Sequence, residues 1–130
     1  MAGFHHVEIW VADFSAVRTE WDWLLTEVGF AVQDEWENGA SWIAGGAYLV
    51  VTASPSLSQP DHDRRRPGVN HVAFKADSAA QLDQLMHDAP LHGWEPLYQE
   101  RYPHAGGVEH YAGWLENSTG FKVEMVADGP

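Results

Sequence analysis

The chain alternates apolar and polar residues in short runs, and two of these runs nearly repeat each other. "HVEIWVAD" at residues 6–13 is echoed by "HVAFKAD" at 71–77: a His-Val pair, a period of two, then an Asp. Side chains on a strand point alternately to its two faces, so each run predicts a strand with one apolar face. The period then changes to helical spacing. Val17, Trp21, Leu24, Leu25 and Val28 follow the first run, with Asp13 or Ser15 as the N-cap and Gly29 as the stop. Ala79, Leu82, Leu85, Met86 and Ala89 follow the second, capped by Asp77 or Ser78 and closed by Pro90 and Gly93. Strand-like runs punctuated by Gly, Asn and Pro come next, at 31–36, 40–44 and 47–54 and again at 95–101, 109–116 and 121–127. Both halves therefore read β-α-β-β-β, and the last strands correspond, "GAYLVVT" at 46–52 with "GFKVEMV" at 120–126. This predicts an α+β chain of two modules, residues 4–54 and 68–128. The linker, 55–67, lies in the Pro-, Ser- and Asp-rich stretch "SPSLSQPDHDRRRPG". At 130 residues one domain, residues 1–130, is expected to hold both modules.

Composition narrows the functional classes. Nineteen acidic residues against seven basic ones give a formal charge of −12, which argues against nucleic acid and anionic membrane as partners. The only basic cluster, Arg64 to Arg66, sits beside Asp61 and Asp63 and is expected to be neutralised locally. The absence of Cys removes disulfides, thiolate nucleophiles and Cys-type zinc sites, and is compatible with a reducing cytoplasm. No signal-peptide pattern opens the chain, and no apolar run approaches the ~20 residues of a membrane span.

Strand parity places candidate chemistry. Val7, Ile9 and Val11 form one face of the first strand and His6, Glu8 and Trp10 the other; His5 falls in register with the apolar set and is expected to be structural. His71 repeats the position of His6, and Glu124 stands on an otherwise apolar last strand. Pseudo-twofold pairing of the modules would bring the two histidines together across one sheet-lined cavity, with Glu124 joining them. Two neutral imidazoles and a carboxylate form a facial triad suited to Fe(II), Mn(II), Ni(II) or Zn(II), with further coordination positions open. Glu8, Tyr48, His104, His110 and Tyr111 are the candidate proton-transfer groups, the later ones because "RYPHAGGVEH" at 101–110 reads as a flexible loop flanking the cavity. Trp10, Tyr48 and Trp114 are candidate walls for a flat or apolar substrate.

"FHHVEIWVAD", "GVNHVAFKAD" and "NSTGFKVEMV" resemble the three signature strands of the vicinal oxygen chelate superfamily, which includes glyoxalase I, extradiol dioxygenases and bleomycin-resistance proteins. The resemblance implies that each module supplies half of a cupped mixed sheet around a metal-binding cavity, with His6, His71 and Glu124 as ligands. It implies a lyase, isomerase or ring-cleaving dioxygenase acting on a small molecule with neighbouring oxygens bound to the ion. Glyoxalase I enzymes carry a further glutamate where alignment of the last strands places Val50, so that activity is disfavoured here. A non-catalytic protein that binds a drug or other ligand, as bleomycin-resistance proteins do, is the alternative. By resemblance a homodimer is expected, with Trp21, Trp23, Trp36 and Trp42 as possible interface residues.

Overall fold

In a computed structural model, residues 2–127 are described, and the chain divides into two compact units at Asp61/His62, within the Pro- and Asp-rich stretch. In the first unit β1 (His6–Val11) leads into α1 (Phe14–Glu27), followed by β2 (Ala31–Trp36), β3 (Gly39–Ala44) and β4 (Ala47–Ala53). These strands form one sheet in the order β1-β4-β3-β2, with β1 and β4 parallel and the other pairs antiparallel. The parallel pair follows from the topology, because a crossover helix returns the chain to the same end of the sheet. Parity holds: Ile9, Ala40, Trp42, Leu49 and Val51 are buried, as are Phe14, Val17, Trp21, Leu24 and Leu25 of the facing helix. Trp42 also donates its indole N–H to Asp22 Oδ1 at 2.9 Å, which ties β3 to α1. Trp21 and Trp42 are both 0% exposed, which corrects the expectation that they serve an interface: each carries far more apolar area than the helix-to-sheet core can leave in water. Of the tryptophans proposed for that role, Trp36 is exposed.

The helix ends are built from the residues that the sequence nominates. Gly29 takes φ +96°, which lets Phe30 N–H reach back to Leu25 C=O at 2.8 Å and close α1. Asp13 occupies the N-cap, but its carboxylate accepts the Ser15 hydroxyl instead of a helix N–H.

The second unit repeats the arrangement with β5 (His71–Ala76), α2 (Ala79–Asp88), β6 (Glu95–Leu97), β7 (Ala112–Glu116) and β8 (Lys122–Ala127), and its sheet order is β5-β8-β7-β6. Ser78 caps α2 by accepting Gln81 N–H, and the Gln81 side chain accepts Asp77 N–H in return. Phe74, Ala76, Leu115, Val123 and Met125 are buried, with Leu82, Leu85 and Met86 of α2. Two expected strands are shorter than the run of apolar residues suggests. After Leu97 the chain leaves the sheet at Tyr98, which has φ +59°, and residues 98–111 form a loop before β7 begins at Ala112. Arg64 pairs with Glu116 of β7 at 3.2 Å, so only Arg65 and Arg66 are left to Asp63.

Candidate functional site

The two sheets are in equivalent registers, and this fixes which positions correspond. His6 pairs with Tyr48 and Glu8 with Val50; His71 pairs with Lys122 and Ala73 with Glu124. Val50 is thus the counterpart of Glu124, and the first unit carries an aliphatic group where the second carries a buried carboxylate.

In the first unit the polar face of β1 is open to solvent. The His6 and Tyr48 rings stack with centroids 4.8 Å apart and planes 6° apart, and Trp10 Nε1–H donates to Glu8 at 2.6 Å. Glu8, Gln33, Asp34, Trp36, Ser41, Tyr48 and Val50 line a shallow depression of about 300 Å³. His5 lies just outside β1, exposed, with Nδ1 2.9 Å from His6 Nδ1 and its ring edge-on to Tyr48. It does not join the apolar face, because the alternation that would put it there begins only at residue 6.

In the second unit β5 and β8 bring His71 and Glu124 together, and the loop ahead of β7 adds His110. His71 Nε2 is 3.0 Å from Glu124 Oε1, and His110 Nε2 is 2.6 Å from Glu124 Oε2. The carboxylate is 7% exposed and stands between the two imidazoles, so the three groups do not converge on one point. Among the described residues no three His, Asp or Glu side chains are arranged to hold a metal ion. The His71 ring is held on both sides. Asn70 Nδ2 donates to Arg64 C=O at 3.1 Å, which turns Asn70 Oδ1 toward His71 Nδ1 at 2.8 Å. Both nitrogens of the His71 ring therefore face acceptors, Nδ1 the Asn70 amide oxygen and Nε2 a carboxylate oxygen. By type, an imidazole nitrogen and a carboxylate oxygen are donors that suit a divalent metal ion.

The same strand face holds a second polar pair. Lys122, 8% exposed, donates to the Tyr98 hydroxyl at 2.8 Å, and Trp114 packs edge-on to Tyr98 with His110 tilted beside it. Tyr98 and Asn70 were not expected. Asn70 had a signal in its position beside His71, whereas Tyr98 was hidden within an apparent strand. His104 lies near the His110 carbonyl, and the Tyr111 hydroxyl donates to Asp83 of α2, so neither touches Glu124. Tyr102 donates to the same Asp83 oxygen. Burial first, then this acceptor and its charge, push the Tyr102 phenol well above the usual tyrosine range; for Tyr111 the bond to Asp83 is the leading cause of a rise.

Comparison with known proteins agrees with this architecture. Residues 5–113 match the model of the Glyoxalase/Bleomycin resistance protein/Dioxygenase superfamily. The uncharacterized protein YqjT of Bacillus subtilis (strain 168) is 40% identical over 124 residues, spanning 95% of this chain and 97% of that protein. A candidate glyoxalase from Bacillus halodurans has a crystal structure that superposes with a TM-score of 0.90 at 38% identity, over 98% of this chain and 96% of that one. A lactoylglutathione lyase from Agrobacterium tumefaciens shares the fold alone, with a TM-score of 0.64 at 15% identity over 98% and 95% of the two chains. On its sequence match and on its paired β-α-β-β-β modules, the chain belongs to the glyoxalase/bleomycin resistance protein/dioxygenase superfamily.

Proposed function

We propose that this protein is a divalent-metal-dependent enzyme, with Fe, Mn, Ni or Zn held by His6, His71 and Glu124, and that its substrate is a small molecule with neighbouring oxygens. The observation that carries the reading is His71, whose Nδ1 rests against the Asn70 amide oxygen while Nε2 faces Glu124. Metal-binding imidazoles are held in this way by an acceptor behind the ring. When bound, the ion supplies Lewis acidity toward the substrate oxygens and stabilises negative charge that develops on them. The protein's own groups hold and shape the site: Asn70 holds the His71 ring, and Trp114, paired with Glu124 across β7 and β8, packs against Tyr98. Glu8 and Tyr48, on the first sheet, are the proton-transfer candidates from that unit. Val50 opposite Glu8 disfavours a glyoxalase I reaction that needs a second carboxylate there, leaving lyase, other isomerase or ring-cleaving dioxygenase chemistry. A cytoplasmic homodimer belongs to the same reading.

Metal analysis of the purified chain, stripped with chelator and reloaded, tests it. The wild-type protein is expected to take up about one ion per chain, and His6→Ala, His71→Ala and Glu124→Ala to lose most of it, while His5→Ala keeps it. A wild-type chain without metal affinity overturns the reading. The depression in the first unit favours a second one: two carboxylates, Glu8 and Asp34, line it together with Trp36 and Tyr48 on a chain of charge −12, a setting for a flat organic cation. A metal-free protein that binds a cationic aromatic drug tightly would support that alternative.

A further inference from the structure

We infer that His110 is the positioning residue for Glu124: carried by the loop 98–111, it holds one carboxylate oxygen so that the other is presented to a metal ion beside His71. The inference rests on the metal reading above and extends it to a residue outside the ligand set. The two oxygens of Glu124 have different partners, Oε2 bonded to His110 at 2.6 Å and Oε1 facing His71 at 3.0 Å. Without the His110 bond the carboxylate is free to rotate and to present either oxygen, or both. With it, Oε2 is turned to His110 and Oε1 to His71, and Glu124 is too deeply buried for water to take over easily.

The position of His110 is itself held from several sides. Its ring lies against Trp114, and Gly106 passes so close that a Cβ there would meet His110 Cδ2 at 2.7 Å and Trp114 Cη2 at 2.9 Å. The loop is closed at its base by Ala112 N–H to Pro103 C=O at 3.0 Å, and its two flanking tyrosines, Tyr102 and Tyr111, both donate to Asp83. The first unit offers a contrast. There only residues 37 and 38 separate β2 from β3, where the second unit has the loop 98–111, and there the counterpart of Glu124 is Val50. The loop that delivers an imidazole accompanies the carboxylate that needs one.

The test is the affinity of the metal-stripped full-length chain for Zn(II) and for Mn(II), measured against a chromophoric chelator, with circular dichroism as the control for folding. His110→Phe keeps an aromatic ring on Trp114 and removes the N–H; it is expected to weaken binding about 10- to 100-fold with stoichiometry retained. His110→Gln, whose amide N–H reaches a similar point, is expected to recover most of the affinity. Glu124→Ala is expected to remove the site. Wild-type affinity in His110→Phe, alongside loss in Glu124→Ala, overturns this inference and leaves the metal reading standing. Loss of stoichiometry in both His110 variants also overturns it, because His110 would then be a ligand or a purely structural residue. A wild-type chain that binds neither ion overturns both readings.

Discussion

Asp83 Oδ1 accepts hydrogen bonds from two phenols, Tyr102 at 2.5 Å and Tyr111 at 2.6 Å. Both tyrosines are shifted upward in the folded chain, so they keep their protons at a pH where the unfolded chain has begun to lose them. Stability from this clasp is complete below the free tyrosine value of ~10 and declines as the pH climbs beyond it. Tyr102→Phe is therefore expected to cost about 1 kcal/mol near neutral pH and to flatten the alkaline fall, as read from urea denaturation at a series of pH values. A wild-type and a variant curve that stay parallel above pH ~10 would show that Tyr102 is not the group responsible. At this scale the sequence was informative where alternation applied and silent where it did not. His6, Glu8 and Trp10 share a face as expected, but His5 precedes the strand, and nothing in its type or spacing says so.

The loop 98–111 is the element in which expectation and structure diverge most. Apolar and aromatic residues continue from 95 to 101 and begin again at 109, which predicts two longer strands, yet the sheet holds only Glu95–Leu97 and Ala112–Glu116 there. Tyr98 ends the first by entering the left-handed region, a conformation that side chains other than glycine and asparagine rarely adopt and that no local pattern announces. Its hydroxyl accepts from Lys122, a partner on the far side of the loop in sequence. Gly106 then decides how closely the loop lies over the site. Gly106→Ala would place a methyl group within 2.9 Å or less of His110 and Trp114, so one of them must move. The expected result is a roughly 10-fold loss of Zn(II) affinity with helix content unchanged, measured by chelator competition and circular dichroism. Unchanged affinity would mean that the loop yields and His110 does not. The helices behaved more simply, since caps and periodicity act within a few residues: Ser78 and Gly29 stand where the sequence placed them.

For the molecule as a whole, a ligand that binds only the folded chain adds stability by mass action. Zn(II) at 100 times its dissociation constant is expected to add about 2.7 kcal/mol to the wild-type protein and nothing to Glu124→Ala, a difference visible as a rise in Tm for one and none for the other. An equal rise in both would point to a cation site elsewhere. The sequence by itself determined the two β-α-β-β-β modules, the faces of their strands and the correspondence of Val50 with Glu124, because these follow from periods of two and 3.6 and from an internal repeat, whereas the family was legible through the resemblance of three strand motifs to known proteins. Only the tertiary structure decided that Trp21 and Trp42 are core, that His110 shares Glu124 with His71, that Asn70 fixes the ring of His71, and that two tyrosines close on Asp83. Most of these contacts join residues far apart along the chain, and which side chains meet there depends on the path of a loop and the register of a sheet, both set by packing and not by local pattern.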